Sequence, residues 1–159
     1  MKKGSVDHAD VGRLDEALRN AILGAASRAG ENVTERVHFC GAPGSDEFNE
    51  LLAACDAVVL AYAEVGQTSS GPAALALDMQ VPLICSRTKC FRELDRFEPG
   101  ILSFFEIGNH VELAQRIALG DADRPEHSLA RSRYVQKYNI EARAQAYVTA
   151  ALRLAAAVA

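Results

Sequence analysis

The length, composition and charge of the chain exclude several classes of protein. Its 159 residues suffice for one domain with a hydrophobic core but are too few to promise two. Apolar residues make up 49% of the chain and charged residues 24%, without the run of roughly 20 apolar residues that a membrane helix needs. The net charge of -4 argues against a general affinity for nucleic acid or anionic lipid.

The N-terminus and the cysteines predict a cytoplasmic protein without a metal or other cofactor. The opening "MKKGSVDHADVGRL" has two lysines but no apolar stretch behind them, so it lacks the features of a secretory signal. The cysteines lie in or beside apolar segments and not in the close pairs of a metal site, which favours reduced, packed thiols. They are Cys40, Cys55, Cys85 and Cys90.

The first half of the chain predicts two helices and two strands. Residues 11–28 repeat apolar side chains every three or four positions, which is typical of an amphipathic helix that ends near Gly30. "RVHFC" predicts a short strand, and Ser45 is expected to cap the next helix. "DAVVLAY" has almost no polar alternation, which indicates a strand covered on both faces. One stripe of the second helix contains Phe48, Leu51, Leu52 and Cys55.

The second half continues the alternation. "GQTSSGPAALALDM", residues 66–79, predicts a loop that opens a helix, with Ser69 or Ser70 as its cap and Pro72 in its first turn. The strand "VPLICS", a basic loop "RTKCFREL" and the strand "ILSFFEI" follow. Asn109 and Gly120 mark the start and stop of another helix, and residues 126–159 predict C-terminal helices with a break at "KYN".

Strands that alternate with helices predict an α/β fold. Each return to the same edge of a sheet requires a crossover, so the strands should run parallel. We expect a single domain over residues 1–159, with a parallel sheet and helices on both faces. Ligands of such sheets bind beyond the carboxyl ends of the strands, which is where the loop before Gly71 should lie.

This loop is the candidate binding site. Backbone N–H groups at Thr68, Ser69, Ser70 and Gly71, together with the dipole of the following helix, would form a seat for a phosphate. The alternative is an ordinary cap that binds nothing, since serine before glycine and proline begins many helices. The stretch is neither a P-loop nor a dinucleotide fingerprint, because it lacks both the Gly-Lys-Ser/Thr sequence and the spaced glycines.

The order and spacing of these segments resemble a known family. The resemblance is carried by "VTERVHFCGAPGSDEFNELLAACDAVVLAY", "SSGPAALALDMQVPLICSRTKCFREL", "ILSFFEIGNHVELAQRIALGD" and "SRYVQKYNIEARAQAYVTAALRL". Together they are similar to the C-terminal, nucleotide-sugar-binding domain of GT-B-fold glycosyltransferases, in particular the retaining enzymes with an E-x7-E motif. The resemblance covers roughly residues 30–155 and implies a Rossmann-like half of a GT-B fold that binds an NDP-sugar for hexosyl transfer.

The resemblance also implies which residues meet the donor. Ser69–Gly71 matches the segment that contacts the diphosphate, and Gln67 and Leu75 stand where the family has its two motif glutamates. Glutamine can still bind a sugar hydroxyl, whereas leucine cannot hold the ribose. The following loop places Glu93 at the family's loop glutamate.

Basic side chains in the same loop would favour the binding of a phosphate. Arg87, Lys89 and Arg92 give it a local positive charge, although an ordinary solvated loop has the same composition.

The chain also departs from the family. The first two strands of the family's domain and the whole acceptor-binding domain have no counterpart, so the sheet should close up, pair with another chain or leave its edges exposed. We expect an acceptor-binding domain or second chain as partner, or a homo-oligomer through the alanine-rich last helix. We expect no turnover by the chain alone, and no catalytic residue is assigned.

Two other functions stay open. The first is a non-catalytic interaction module, in which Leu75 marks a lost nucleotide site. The second is a small base-sugar hydrolase or transferase, which needs a carboxylate nucleophile on the helix after Ser70. Asp78 is the only carboxylate in "GPAALALDM", and one exposed charge on a helix is its plainer interpretation.

Overall fold

The structure, a computed structural model, describes residues 16, 17, 19–24, 27, 34–64 and 66–158. The chain forms two compact units, Met1–Pro43 and Gly44–Ala159. In the first unit, the described residues between 16 and 27 are helical, as predicted, and Thr34–Arg36 forms a 3-10 turn. The helix end expected near Gly30 lies outside the described residues.

No strand forms at "RVHFC", so that prediction is wrong. Residues 37–40 have no regular secondary structure, and His38, Phe39 and Cys40 are exposed. A strand needs a neighbour whose backbone hydrogen-bonds with its own. The Phe39 ring instead lies under the guanidinium of Arg19, at 4.8 Å from the ring centroid.

The second unit alternates strands and helices. Its strands are β1 (Val58–Leu60), β2 (Leu83–Ser86) and β3 (Ser103–Phe105). Its helices are α1 (Ser45–Ala53), α2 (Gly71–Asp78), α3 (Lys89–Asp95), α4 (His110–Ala118), α5 (Pro125–Tyr138) and α6 (Ile140–Val158), with a 3-10 turn at Asp121–Asp123 before α5.

The three strands form one parallel sheet in the order β1-β2-β3. Val58 pairs with Leu83 on one side of β2, and Ile84 pairs with Ser103 on the other. The predicted α/β class and the parallel alignment of "AVVL" with "PLIC" are therefore confirmed.

The central strand β2 is buried along its whole length because helices cover both faces of the sheet. Leu83 and Cys85 point to one face, where α2, α3 and α5 supply the larger core cluster. Ile84 points to the other face and packs with Phe105 and Ala122. This two-sided burial explains why "PLIC" lacks polar alternation.

Side-chain caps begin two of the helices at the predicted positions. The Ser70 hydroxyl accepts a hydrogen bond from the Ala73 N–H (3.3 Å). The Asn109 side-chain oxygen accepts one from the Glu112 N–H (3.1 Å). Gly120 follows α4 with a φ of +59°, the left-handed conformation expected of a helix stop.

Two local predictions are wrong. Gly44, and not Ser45, is the N-cap of α1, and Leu52 is the only buried residue of the predicted stripe. The basic stretch predicted as a loop forms helix α3, because the Thr88 hydroxyl accepts from the Phe91 N–H (3.4 Å) and Phe91 is completely buried. Burial of that aromatic side chain outweighs the surrounding charges.

The cysteines are free thiols but only two of them are packed. Cys85 and Cys90 are buried, whereas Cys40 and Cys55 are exposed. The expectation of packed thiols is therefore wrong for Cys40 and Cys55, which lie outside the core clusters.

The break predicted at "KYN" is confirmed. Helix α5 ends at Tyr138, and the Asn139 side-chain oxygen accepts a hydrogen bond from the Ala142 N–H (2.7 Å) to begin α6. Although α6 has 19 residues, neither it nor any other helix among the described residues combines the length and apolarity needed to cross a membrane.

A buried carboxylate links β3 to α4. Asp121 accepts hydrogen bonds from the Ser103 hydroxyl (2.8 Å) and from Arg116 (2.8 Å), and Arg124 lies 2.6 Å away. Burial opposes ionisation, but these hydrogen bonds and charges hold the pKa of Asp121 below its usual value. The ionised carboxylate therefore fixes the end of α4 against the sheet.

Substitutions at Leu77 and Leu75 test which side of α2 contributes to the hydrophobic core. Leu77 is fully buried, whereas Leu75 on the same helix is 40% exposed. We expect Leu77→Ala to lower the free energy of unfolding by about 2–5 kcal/mol, and Leu75→Ala by less than about 1 kcal/mol. Urea titrations followed by circular dichroism measure both. Equal losses in the two variants would contradict the assignment of the core.

Candidate functional site

A cavity of about 670 Å³ lies beside the loop that precedes α2. This volume is within the range of roughly 300–1,000 Å³ that is typical of ligand sites. Its polar lining residues are Thr68, Ser69, Ser70, Glu93, Arg96 and Arg143. Its apolar and aromatic lining residues are Ala74, Cys90, Leu94, Phe97, Tyr134 and Tyr138.

The loop is fixed by a chain of hydrogen bonds that begins at the central strand. The buried Ser86 hydroxyl donates to the Tyr62 carbonyl (2.7 Å), and the hydroxyls of Tyr62 and Ser70 are hydrogen-bonded at 3.1 Å. The Tyr62 ring also packs on Phe91, with 5.1 Å between ring centroids. The conformation of the loop therefore depends on β2 and α3.

The helix start offers a ligand fewer donors than the sequence implied. Pro72 has no N–H, the Ala73 N–H donates to the Ser70 hydroxyl, and the Ala74 N–H donates to the Ser70 carbonyl. Of the first four positions of α2, Gly71 alone has an N–H that makes no hydrogen bond with the described residues. A Cβ at Gly71 would meet no atom within 4 Å, so the space beside it is open.

Thr68 and Ser69 supply further polar groups at this opening. Both are exposed, and their hydroxyls make no hydrogen bond with the part of the chain that the structure describes. Ser70, by contrast, is 7% exposed, and its hydroxyl is already engaged by the protein. Thr68 and Ser69 are therefore better placed than Ser70 to bind a ligand with their side chains.

Four of the predicted site residues, Gln67, Gly71, Arg87 and Lys89, lie outside the cavity lining, and so does Arg92. Arg87 pairs with Glu106 (2.6 Å) and lies over the Phe104 ring. The Lys89 ammonium is 3.9 Å from Glu93 and points along the exposed side of α3. Gln67 donates to the carbonyl of its own loop at Ser69 (2.6 Å).

Two arginines at the cavity were not recognised from the sequence. Arg96 follows α3, and its guanidinium has no ion-pair partner among the described residues. Arg143 comes from α6 and lies 3.5 Å from the Asp78 carboxylate, which offsets part of its charge. Arg96 stands close to the basic stretch in sequence, but nothing in the sequence links Arg143 to the loop at Ser70.

An aromatic cluster forms the apolar part of the lining. Tyr138 packs edge-on against Phe97 (5.4 Å between centroids) and beside Tyr134 (5.2 Å). Burial raises the pKa of Tyr134, so its hydroxyl stays protonated at neutral pH. Stacking of a planar ligand on such rings is favourable.

The titratable groups at and near the cavity do not form a nucleophilic site. Burial, together with the charges of Glu93 and Glu64, raises the pKa of the Cys90 thiol, so the reactive thiolate is disfavoured. Asp78 does not line the cavity and is half-buried beside Arg143, and not the exposed charge that the sequence suggested. This arrangement favours binding over covalent catalysis.

The chain matches no protein-family model, no curated protein and no solved structure.

Substitutions at Ser70 and Ser69 compare a hydroxyl that caps a helix with a hydroxyl that is only exposed in the same loop. Ser70→Ala removes the cap of α2 and should lower the free energy of unfolding by about 1 kcal/mol. Ser69→Ala should leave it unchanged, because the Ser69 hydroxyl bonds no described residue. Urea unfolding of both variants measures the difference. A loss in Ser69→Ala as large as that in Ser70→Ala would contradict the capping geometry.

Proposed function

We propose that the cavity binds the nucleoside diphosphate part of a sugar donor, and that the chain is the donor-binding part of a glycosyltransferase. The observation that carries the proposal is the composition of one cavity, which brings together hydroxyl donors, two guanidinium groups and an aromatic cluster. These are the groups that a diphosphate joined to a planar base requires.

The diphosphate is the part of the ligand that the polar lining fits best. Arginine binds phosphate oxygens through two parallel N–H donors, and charge-assisted hydrogen bonds of this kind are stronger than neutral ones. Arg96 lines the cavity without an ion-pair partner among the described residues, and the hydroxyls of Thr68 and Ser69 add uncharged donors. Gly71 does not itself line the cavity, although its N–H lies at the adjoining start of α2. The helix dipole of α2 adds a smaller favourable contribution.

The base and the sugar have separate partners in the lining. Phe97 and Tyr138 offer aromatic surface for a base, since base-aromatic stacking contributes roughly 1–3 kcal/mol. Glu93 is the carboxylate that lines the cavity and can accept hydrogen bonds from ribose or sugar hydroxyls. Leu75 does not line it, which agrees with the loss of the family's ribose-binding glutamate at that position.

Binding alone does not make the chain an enzyme. Retaining sugar transfer requires an acceptor held opposite the donor, and the described residues supply one wall of such a cleft. We propose that an acceptor-binding domain or second chain completes the active site. The four free thiols, two of them exposed, fit a reducing compartment such as the cytoplasm.

A non-catalytic interaction module is the second candidate. It is favoured by the limited number of backbone donors at the start of α2, where the protein uses two of its own N–H groups. The two functions differ in one measurable property, which is affinity for nucleoside diphosphates.

Calorimetric titration with UDP, GDP and their sugars tests the proposal. We expect a dissociation constant of about 1 mM or tighter for at least one diphosphate, and weaker binding of the corresponding nucleoside. Arg96→Gln should weaken binding by about 5- to 10-fold, because it removes a charge-assisted hydrogen bond.

Arg92→Gln is the matched control. Arg92 is exposed on α3, the helix that Arg96 follows, but does not line the cavity, so its replacement should leave the affinity unchanged. The absence of binding for every diphosphate would contradict the proposal and favour the interaction module. Equal weakening by both substitutions would indicate a non-specific effect of charge.

A further inference from the structure

The last helix presents an apolar stripe that its own unit leaves uncovered. Ile140, Tyr147 and Leu154 are 75%, 79% and 69% exposed. The exposed alanines Ala144 and Ala151 lie between them, so the stripe alternates steps of four and three residues. This is the spacing of a seam that faces another helix in a coiled coil.

The stripe points away from the domain that carries it. Between residues 140 and 157, only Ala142 and Thr149 are partly buried, and these two lie seven residues apart on one face of α6. At about 100° per residue, that face is opposite to the stripe. The helix therefore uses a small and a polar residue toward its own unit and directs its large apolar residues outward.

We infer that α6 forms an antiparallel pair with α6 of a second copy of this chain. The stripe is complementary to itself in that direction, because large residues and alanines alternate along it. With the two-fold axis at the level of residue 149, Tyr147 packs against Ala151 of the second copy. Leu154 then packs against Ala144 of the second copy, so each of these layers contains one large and one small side chain.

A parallel pair would match the same residues less well. It would place Tyr147 against Tyr147 and Ala151 against Ala151, which gives crowded layers next to empty ones.

The area of the seam is sufficient for a specific but concentration-dependent dimer. Burying an aliphatic side chain removes roughly 100 Å² of apolar surface and an aromatic one more. Ile140, Tyr147 and Leu154 of each copy, with Val148 at the edge of the stripe and the alanines between them, thus approach the roughly 1,000 Å² that a specific interface needs. This inference does not depend on the proposed nucleotide site.

Sedimentation equilibrium of the full chain between about 5 and 200 μM tests the dimer. We expect the weight-average mass to rise toward twice the 17.1 kDa of one chain. Leu154→Glu should hold the mass at that of one chain across this range. Leu152→Glu is the matched control, because Leu152 is 66% exposed on the same helix but lies off the stripe, and it should dimerise like the unmodified chain.

The orientation is tested by mixing two variants. Ala144→Lys and Leu154→Glu should each be monomeric alone, but an equimolar mixture should dimerise, because the new lysine and glutamate face each other only in an antiparallel pair. Circular dichroism confirms that each variant keeps its helices. A wild-type chain that stays monomeric at 200 μM, equal dimerisation by Leu154→Glu and Leu152→Glu, or a mixture that stays monomeric would each overturn the inference.

Discussion

The position of β2 between two parallel neighbours is the constraint on which the rest of the second unit depends. All four of its residues are buried, with hydrogen-bonded strands at both edges and helices on both faces. Alternate residues of one short strand thus supply both core clusters, Leu83 to one and Ile84 to the other. Because the strands are parallel, their carboxyl ends meet at one edge, and the loops that follow β1 and β2 are brought together there.

The candidate site is a product of this arrangement. The loop after β1 leads to Ser70 at the start of α2, and the connection after β2 leads directly into α3, which carries Glu93 and precedes Arg96 and Phe97. Helix α5 packs against α2 and adds Tyr134 and Tyr138 to the lining. The sheet therefore determines the position of the site, and residues of four helices line it, since α6 adds Arg143.

The sequence predicts the parts of this structure that depend on local rules. Apolar runs predict β1, β2 and β3, although β1 is not covered on both faces as expected, because Val59 is 40% exposed. The hydroxyl and amide caps at Ser70 and Asn109 act within three residues of their partners. Predictions fail where the outcome depends on distant residues. "RVHFC" has the composition of a strand but no paired neighbour, and "RTKCFREL" is charged on the surface but begins α3 because Phe91 is buried in the core.

The residues of the cavity also divide into those that the local sequence predicts and those that distant packing brings in. The sequence identifies Thr68–Ser70, because these residues adjoin a strand end, whereas Glu93 follows only from the resemblance to the family's loop. It does not identify Arg143 or the aromatic cluster, because tertiary packing brings α5 and α6 to the loop and no local pattern predicts that contact.

The hydrogen-bonded chain from Ser86 through Tyr62 to Ser70 has a consequence for the entropy of binding. A loop of small and hydroxyl residues would ordinarily sample many conformations and lose that freedom when a ligand orders it. Here hydrogen bonds that begin at the central strand already hold Tyr62 and Ser70, at the two ends of the segment, before any ligand arrives. Preorganisation of this kind lowers the entropic cost of association, so a few modest contacts suffice for measurable affinity.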